Sequence, residues 1–270
     1  MYKETTQSER LYTEVAGRYD AVFERAILSE GRLIQLTRKI MNGRRIIDLA
    51  CGNGRWLDRI RPSSYLGIDL NEAMLEQARL RHPQAQFIRG DMTVLPFADG
   101  SFDGAMSMFG AMGHLPEKGQ QAMIREIRRV LNPGGVAILT NGNMWSPFAL
   151  PVTLAGNRVR LEGVRFKVYS TTPHRFIGLL CGLNVVRLES YDYSFIPILP
   201  IKFISSLLGR DYRDDYARLM DIYSHSNLIP TLRWFGKQLL AVCQKGCMDD
   251  GQESAPRSLC VPPRDALEKE

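Results

Sequence analysis

The sequence predicts an α/β fold, a mostly parallel sheet of seven short strands with helices on both faces. Short apolar runs alternate with stretches of helical periodicity, the pattern of strand–helix–strand units. One run ends in a glycine-containing loop, Cys51-Gly52-Asn53-Gly54, of the kind that turns a strand toward a helix. A length of 270 residues, 44% hydrophobic and 24% charged, suits one large globular domain.

Residues 1–42 read as a helical cap, with Leu11, Val15, Tyr19, Val22 and Phe23 at helical spacing and Leu33, Leu36 and Ile40 following. Strands are expected at 44–50, 64–70, 86–91, 102–109 and 134–141, with helices at 71–82 and 117–131 and another beginning near Arg55. A helix at 171–184 has Pro173 in its first turn and Gly182 near its end, and strands at 185–193 and 239–245 complete the series. Segments 142–170 and 194–237 follow neither period, and the second reads as an insertion before the last strand. Residues 1–245 then make one domain. Residues 246–270, rich in Pro, Ser and acids, read as a disordered tail.

No apolar run reaches the roughly 18–20 residues of a spanning helix, and the opening MYKETTQSER is too polar for a secretory signal, so a cytoplasmic address is expected. The five cysteines form no C-x-x-C pair and no metal site is expected. The net charge of +6 is spread over scattered arginines without a long Lys/Arg run. It reads as a solvated basic face, and no nucleic-acid partner is expected.

The acids that follow the strands say what the glycine loop binds. A dinucleotide fingerprint asks for a third glycine at position 57, where Leu57 stands. Asp48, at the end of its strand, suits an ammonium better than a phosphate. Asp69, ending the second strand, suits the hydroxyls of a ribose. Asp91, ending the third, and Met92 after it suit the exocyclic amine and faces of a purine. Ammonium, ribose and adenine together describe S-adenosylmethionine.

The segments DLACGNG (48–54), GIDLNEAML (67–75), RGDMTVLPFADGSFDGAMS (89–107) and REIRRVLNPGGVAIL (125–139) stand in the order and spacing of a known family. Over roughly residues 44–141 the chain resembles the class I S-adenosylmethionine-dependent methyltransferases of the small-molecule type. It is similar to those of ubiquinone and menaquinone biosynthesis and to related natural-product enzymes. The resemblance implies a Rossmann-like fold. It implies that Asp48 helps hold the methionine ammonium, often through water, while the backbone of Ala50, Cys51, Gly52 and Gly54 lines the methionine. Asp69 would take the ribose hydroxyls, Leu70 and Met74 would pack by the adenosine, and Asp91 and Met92 would hold the adenine. Ser107 and Met108 would face the cofactor, and Tyr19 would cover its methionine end or pack in the core. Ala50 is a small departure from the Gly, Ser or Thr frequent at that place.

Methyl transfer from a sulfonium needs alignment and exclusion of water, and a base only where the acceptor loses a proton. His114, after the fourth strand, is the candidate base; its other reading is a residue that orders the loop. The apolar segment 194–208 admits three readings: a lid over an apolar acceptor, ordinary core, or a peripheral contact with a membrane surface. The expected activity is methylation of a small, lipophilic acceptor at O, N or C. A regulatory or scaffold protein that binds S-adenosylmethionine without methylating is the alternative.

Overall fold

In a computed structural model, residues 3–24, 27, 30–146, 149–154, 156–191, 198–225 and 236–246 are described. The chain begins with helix α1 (Lys3–Val15), a 3-10 turn, a short helix α2 (Tyr19–Val22) and helix α3 (Gly31–Met41). The expected alternation follows: β1 (Arg45–Leu49), β2 (Ser64–Asp69), α4 (Glu72–Arg81), β3 (Gln86–Arg89), β4 (Phe102–Ser107), α5 (Glu117–Val130) and β5 (Leu131–Gly142). Next come α6 (Ala149–Leu154), a hairpin of β6 (Arg158–Leu161) and β7 (Val164–Lys167), and α7 (Pro173–Leu179). β8 (Asn184–Tyr191), α8 (Ile198–Leu207), α9 (Tyr212–His225) and β9 (Gln238–Gln244) complete the order.

The seven-stranded sheet runs β3-β2-β1-β4-β5-β9-β8, and β9 alone runs antiparallel to its neighbours. Because side chains alternate across a strand, neighbouring residues of β1 serve different layers. Ile47 and Leu49 pack with Met123, Ile124 and Ile127 of α5 and Phe176 of α7. Ile46 packs on the other face with Leu33 and Met41 of α3 and Leu75 and Ala78 of α4. β1 lies between β2 and β4, so the order of connection reverses there and opens a crevice beyond the strand ends.

Local capping agrees with the sequence pattern. The Asn71 side chain caps α4 by accepting from Met74 N–H, and Thr172 caps α7 ahead of Pro173. The helix expected near Arg55 is one 3-10 turn, Arg55–Asp58, because Pro62 leaves too little chain for a helix before β2. β3 ends at Arg89, which puts Asp91 in the following loop.

Segment 142–170 supplies α6 and the hairpin, neither of which the helical or strand period had indicated. Segment 194–237 supplies α8 and α9. The partners of the hairpin explain its place. Val164 and Phe166 of the hairpin bury against Leu11 and Val15 of α1 and Met74 of α4, forming a third apolar cluster above the crevice. Tyr193 and the tail beyond residue 246 lie outside the described residues.

Candidate active site

The glycine loop leaves β1 through three residues with left-handed backbone: Ala50 (φ 57°), Gly52 (φ 56°) and Gly54 (φ 72°). At Ala50, where a β-carbon is present, that conformation costs on the order of 1–2 kcal/mol. Asp69, at the end of β2, ties the loop down. Its Oδ2 accepts from Gly52 N–H at 2.8 Å and its Oδ1 from Asn71 N–H at 2.9 Å. Burial raises the Asp69 pKa and these backbone donors oppose the rise. The Asn71 amide in turn donates to Glu9 O and Thr13 Oγ1 of α1, both at 2.8 Å. One chain of hydrogen bonds therefore links the glycine loop, the second strand and the N-terminal helix.

These elements line one open cavity. Of the residues singled out from the sequence, Tyr19, Ala50, Cys51, Gly52, Asp69, Leu70, Met74, Met92, Met108 and His114 line it. Asp48, Gly54, Asp91 and Ser107 do not line it. Asp48 is 1% exposed and accepts from the Tyr65 hydroxyl at 2.7 Å; burial pushes its carboxyl up to about 7. Asp91 Oδ1 closes its own turn by accepting from the N–H and hydroxyl of Thr93 at 2.8 and 2.7 Å. Gly54 lies under Phe87, His82 and Ala78, and the Ser107 hydroxyl is buried without a hydrogen-bond partner among the described residues.

His114 holds α1 across the cavity. Its Nδ1 is 2.9 Å from Ser8 Oγ and its Nε2 is 2.9 Å from the Tyr12 hydroxyl. Burial lowers its pKa to about 4, so the ring is neutral near pH 7. A neutral imidazole has one N–H and one lone pair, and this pair of hydroxyls satisfies both.

Sequence reasoning missed Ser8, Glu9 and Tyr12 of α1, and also Arg55, Trp56, Asn71 and Phe109, all in the cavity wall. Arg55 is 5% exposed and makes a two-pronged ion pair with the fully buried Glu30, at 2.7 and 2.6 Å. Burial works against the Arg55 charge, and Glu30 more than restores it. The guanidinium also sits 5.0 Å from the Phe109 ring centre and 5.4 Å from that of Trp56. The only local hint of this pair was a charged residue placed directly after the glycine loop; Glu30 has no spacing signal.

The wall fits an S-adenosyl group. It offers one carboxylate fixed by backbone donors, an apolar floor at Leu70, Met74 and Met92, and a cation beside the Trp56 indole N–H, which is buried and has no hydrogen-bond partner among the described residues.

Residues 46–135 match the model of a family described as a methyltransferase domain. The chain is 32% identical over 146 residues to a demethylmenaquinone methyltransferase of Beutenbergia cavernae, covering 51% of this chain and 60% of the relative. It is 36% identical over 107 residues to a phthiotriol/phenolphthiotriol dimycocerosates methyltransferase of Mycobacterium ulcerans, covering 37% of this chain and 38% of the relative. The matches thus span between about two fifths and three fifths of these curated relatives' length. Among solved structures, an S-adenosylmethionine-dependent methyltransferase from Mesorhizobium loti shares the fold, with a TM-score of 0.54 at 21% identity over 80% of this chain and 97% of that one. The matched methyltransferase domain lies on β1–β5 of this sheet, and the chain is similar to S-adenosylmethionine-dependent methyltransferases over that region and in fold.

Proposed function

We propose that the chain transfers a methyl group from S-adenosylmethionine to a small, lipophilic acceptor at O, N or C. The observation that carries this reading is the Asp69 carboxylate, fixed by Gly52 N–H and Asn71 N–H at the wall of a cavity roofed by α1. In this reading Asp69 holds the ribose hydroxyls. Leu70, Met74 and Met92 pack on the adenosine, and the Ala50–Gly52 backbone runs along the methionine beside Tyr19 and Met108. Asp48 and Asp91 act one layer back, through Tyr65 and the Thr93 turn. The bound cofactor supplies an electrophilic methyl on sulfur. What the protein adds is alignment and dryness: α1, clasped by His114, keeps water from the reacting atoms.

The class of acceptor is supported by the relatives, named for demethylmenaquinone and for phthiotriol dimycocerosates, which are both lipophilic. A proton leaving a phenol or similar acceptor goes to His114 only after that acceptor displaces the Tyr12 or Ser8 hydroxyl from the ring. Titration calorimetry with S-adenosylmethionine and S-adenosylhomocysteine tests the site. Micromolar binding of both is expected, and absence of heat from folded protein removes the reading.

The second reading, a binding protein without methylation, is favoured by one observation: both ring nitrogens of the only candidate base among the cavity residues are engaged. Uptake of labelled methyl by a panel of quinones, phenols and amines separates the two.

A further inference from the structure

Every strand of the seven-stranded sheet except β9 begins at the end away from the cavity, and the register there sets distant residues in one row. Gln244 of β9 stands opposite Val136 of β5, Val136 opposite Gly104 of β4, Gly104 opposite Ile46 of β1, and Ile46 opposite Tyr65 of β2. Because β9 is antiparallel to its neighbours, it finishes at the end where β1 and β2 start.

Cations gather around those two starts. Arg38 Nε donates to Arg59 O, Gly43 N–H to Arg61 O and Ser63 N–H to Arg44 O, each at 2.9 Å, and Arg61 N–H donates to Asn42 Oδ1 at 2.8 Å. These bonds lace the last turn of α3 to the loop before β2 and bring Arg38, Lys39, Arg44, Arg59 and Arg61 together. Among the described residues, none of the five pairs with a carboxylate. The side chains of Arg38, Arg44 and Arg61 donate only to main-chain oxygens, and Arg59 Nε is buried with no acceptor among the described residues. Asp103, at the start of β4, is held by Arg45 at 2.9 Å and by Asn132 at 2.6 Å. The dipole of α3 favours Arg38 and Lys39 in its last turn, and leaves Arg44, Arg59 and Arg61 unbalanced.

The sequence holds an anion within reach. Six acids and three cations follow Gly246, and three of the acids, Asp249, Asp250 and Glu253, fall within five residues with no cation among them. From Gln244 the row crosses about 14 Å to β1 and about 19 Å to β2, at one strand spacing per step. Asp249 and Glu253 lie five and nine residues beyond Gln244, extended reaches of about 16 and 30 Å.

We propose that Arg38, Lys39, Arg44, Arg59 and Arg61 form a docking face for the chain's own acidic segment 249–253. Exposed ion pairs are individually weak and screened by salt, but a tether of a few residues gives the segment a high effective concentration. The segment therefore keeps free polyanions off the basic end of the sheet. This face lies at the opposite end of the strands from the cavity, and its docking does not depend on the methyltransferase reading.

The test is the salt needed to elute the full chain from immobilised heparin. D249N/D250N/E253Q uncovers the face and is expected to elute at higher salt than D265N/E268Q/E270Q, which changes the net charge equally. In the background R38Q/K39Q/R61Q the two tail variants are expected to elute together. The tail substitutions leave every described residue in place, so their comparison survives any folding defect of the background. Equal elution of the two tail variants without that background, or a difference that persists within it, overturns the proposal. Carbodiimide coupling gives a direct readout: a bond from Lys39 to a carboxylate of 249–253 is expected within one chain. The same bond between two chains, seen as a covalent dimer, overturns the assignment to the chain's own segment.

Discussion

The Tyr12 hydroxyl on α1 and His114 Nε2, on the turn after β4, lie 2.9 Å apart, and Ser8 holds the other ring nitrogen from the same helix. This histidine therefore fastens the roof of the cavity to its floor alongside the Asn71 bonds to Glu9 and Thr13. Replacing Tyr12 by Phe removes one of those bonds and is expected to cost about 1 kcal/mol of stability. It is also expected to speed amide exchange in α1 while leaving the core strands protected. Hydrogen-exchange mass spectrometry checks both; equal exchange in α1 and β4 would mean that the bond does not hold the helix.

His114 also gives a pH dependence with a definite sign. Its folded pKa, about 4 because of burial, lies below the ordinary value of 6.5. Between these values the unfolded chain binds the proton and the folded chain does not, so stability is full above about pH 6.5 and falls as the pH drops toward 4. The Tm of wild type should fall over that window by more than that of His114→Gln. Parallel curves from calorimetric scans would contradict it.

Asp48 has the opposite sign. Burial lifts its carboxyl to about 7, so its contribution is favourable at low pH and is lost as pH rises through 7. Asp48→Asn keeps an acceptor for the Tyr65 hydroxyl and carries no buried charge. It should therefore unfold at a higher temperature than wild type at pH 8. If the carboxylate helps hold the ammonium of the cofactor, the same variant should bind S-adenosylmethionine at least tenfold more weakly.

For Asp69 the expectation concerns affinity. Asp69→Ala leaves the Gly52 and Asn71 N–H groups without their acceptor, and charged hydrogen bonds of this kind are worth about 1.5–3 kcal/mol each. Affinity for S-adenosylmethionine should fall at least a hundredfold by calorimetry, and unchanged affinity would remove Asp69 from the site.

Breaking the Arg55–Glu30 pair by Glu30→Ala leaves a buried guanidinium without its anion and should cost about 3–5 kcal/mol in denaturant unfolding. Glu30→Leu with Arg55→Met should recover most of that loss, because neither charge then remains.

The parallel half of the fold was legible because its strands are buried on both faces and read as plain apolar runs: RIIDL, SYLGID and the rest stand where the runs placed them. The hairpin was not. Its apolar residues, Val159, Leu161, Val164 and Phe166, are four in ten, and they become a face only against α1, more than a hundred residues earlier. The site divides in the same way. Asp69 and the loop residues announce themselves by following a strand. Ser8 and Tyr12 share the helical face of Leu11 and Val15, so their spacing marks them only as core positions until His114 is brought to them. Arg55 and Glu30 lie on opposite sides of α3 and β1 in the chain, and only the folded packing joins them.

The position of α1 in the chain has a kinetic consequence. The helix meets Asn71, 58 and 62 residues away, and also His114, Val164 and Phe166, 102 residues or more along the chain. Closing the longer of these loops comes later on the folding route. The part that settles last and is fastened by few bonds is also the part that detaches most cheaply. Its opening rate would then set how fast a ligand leaves the cavity, with the thirteen residues of α1 as the timer.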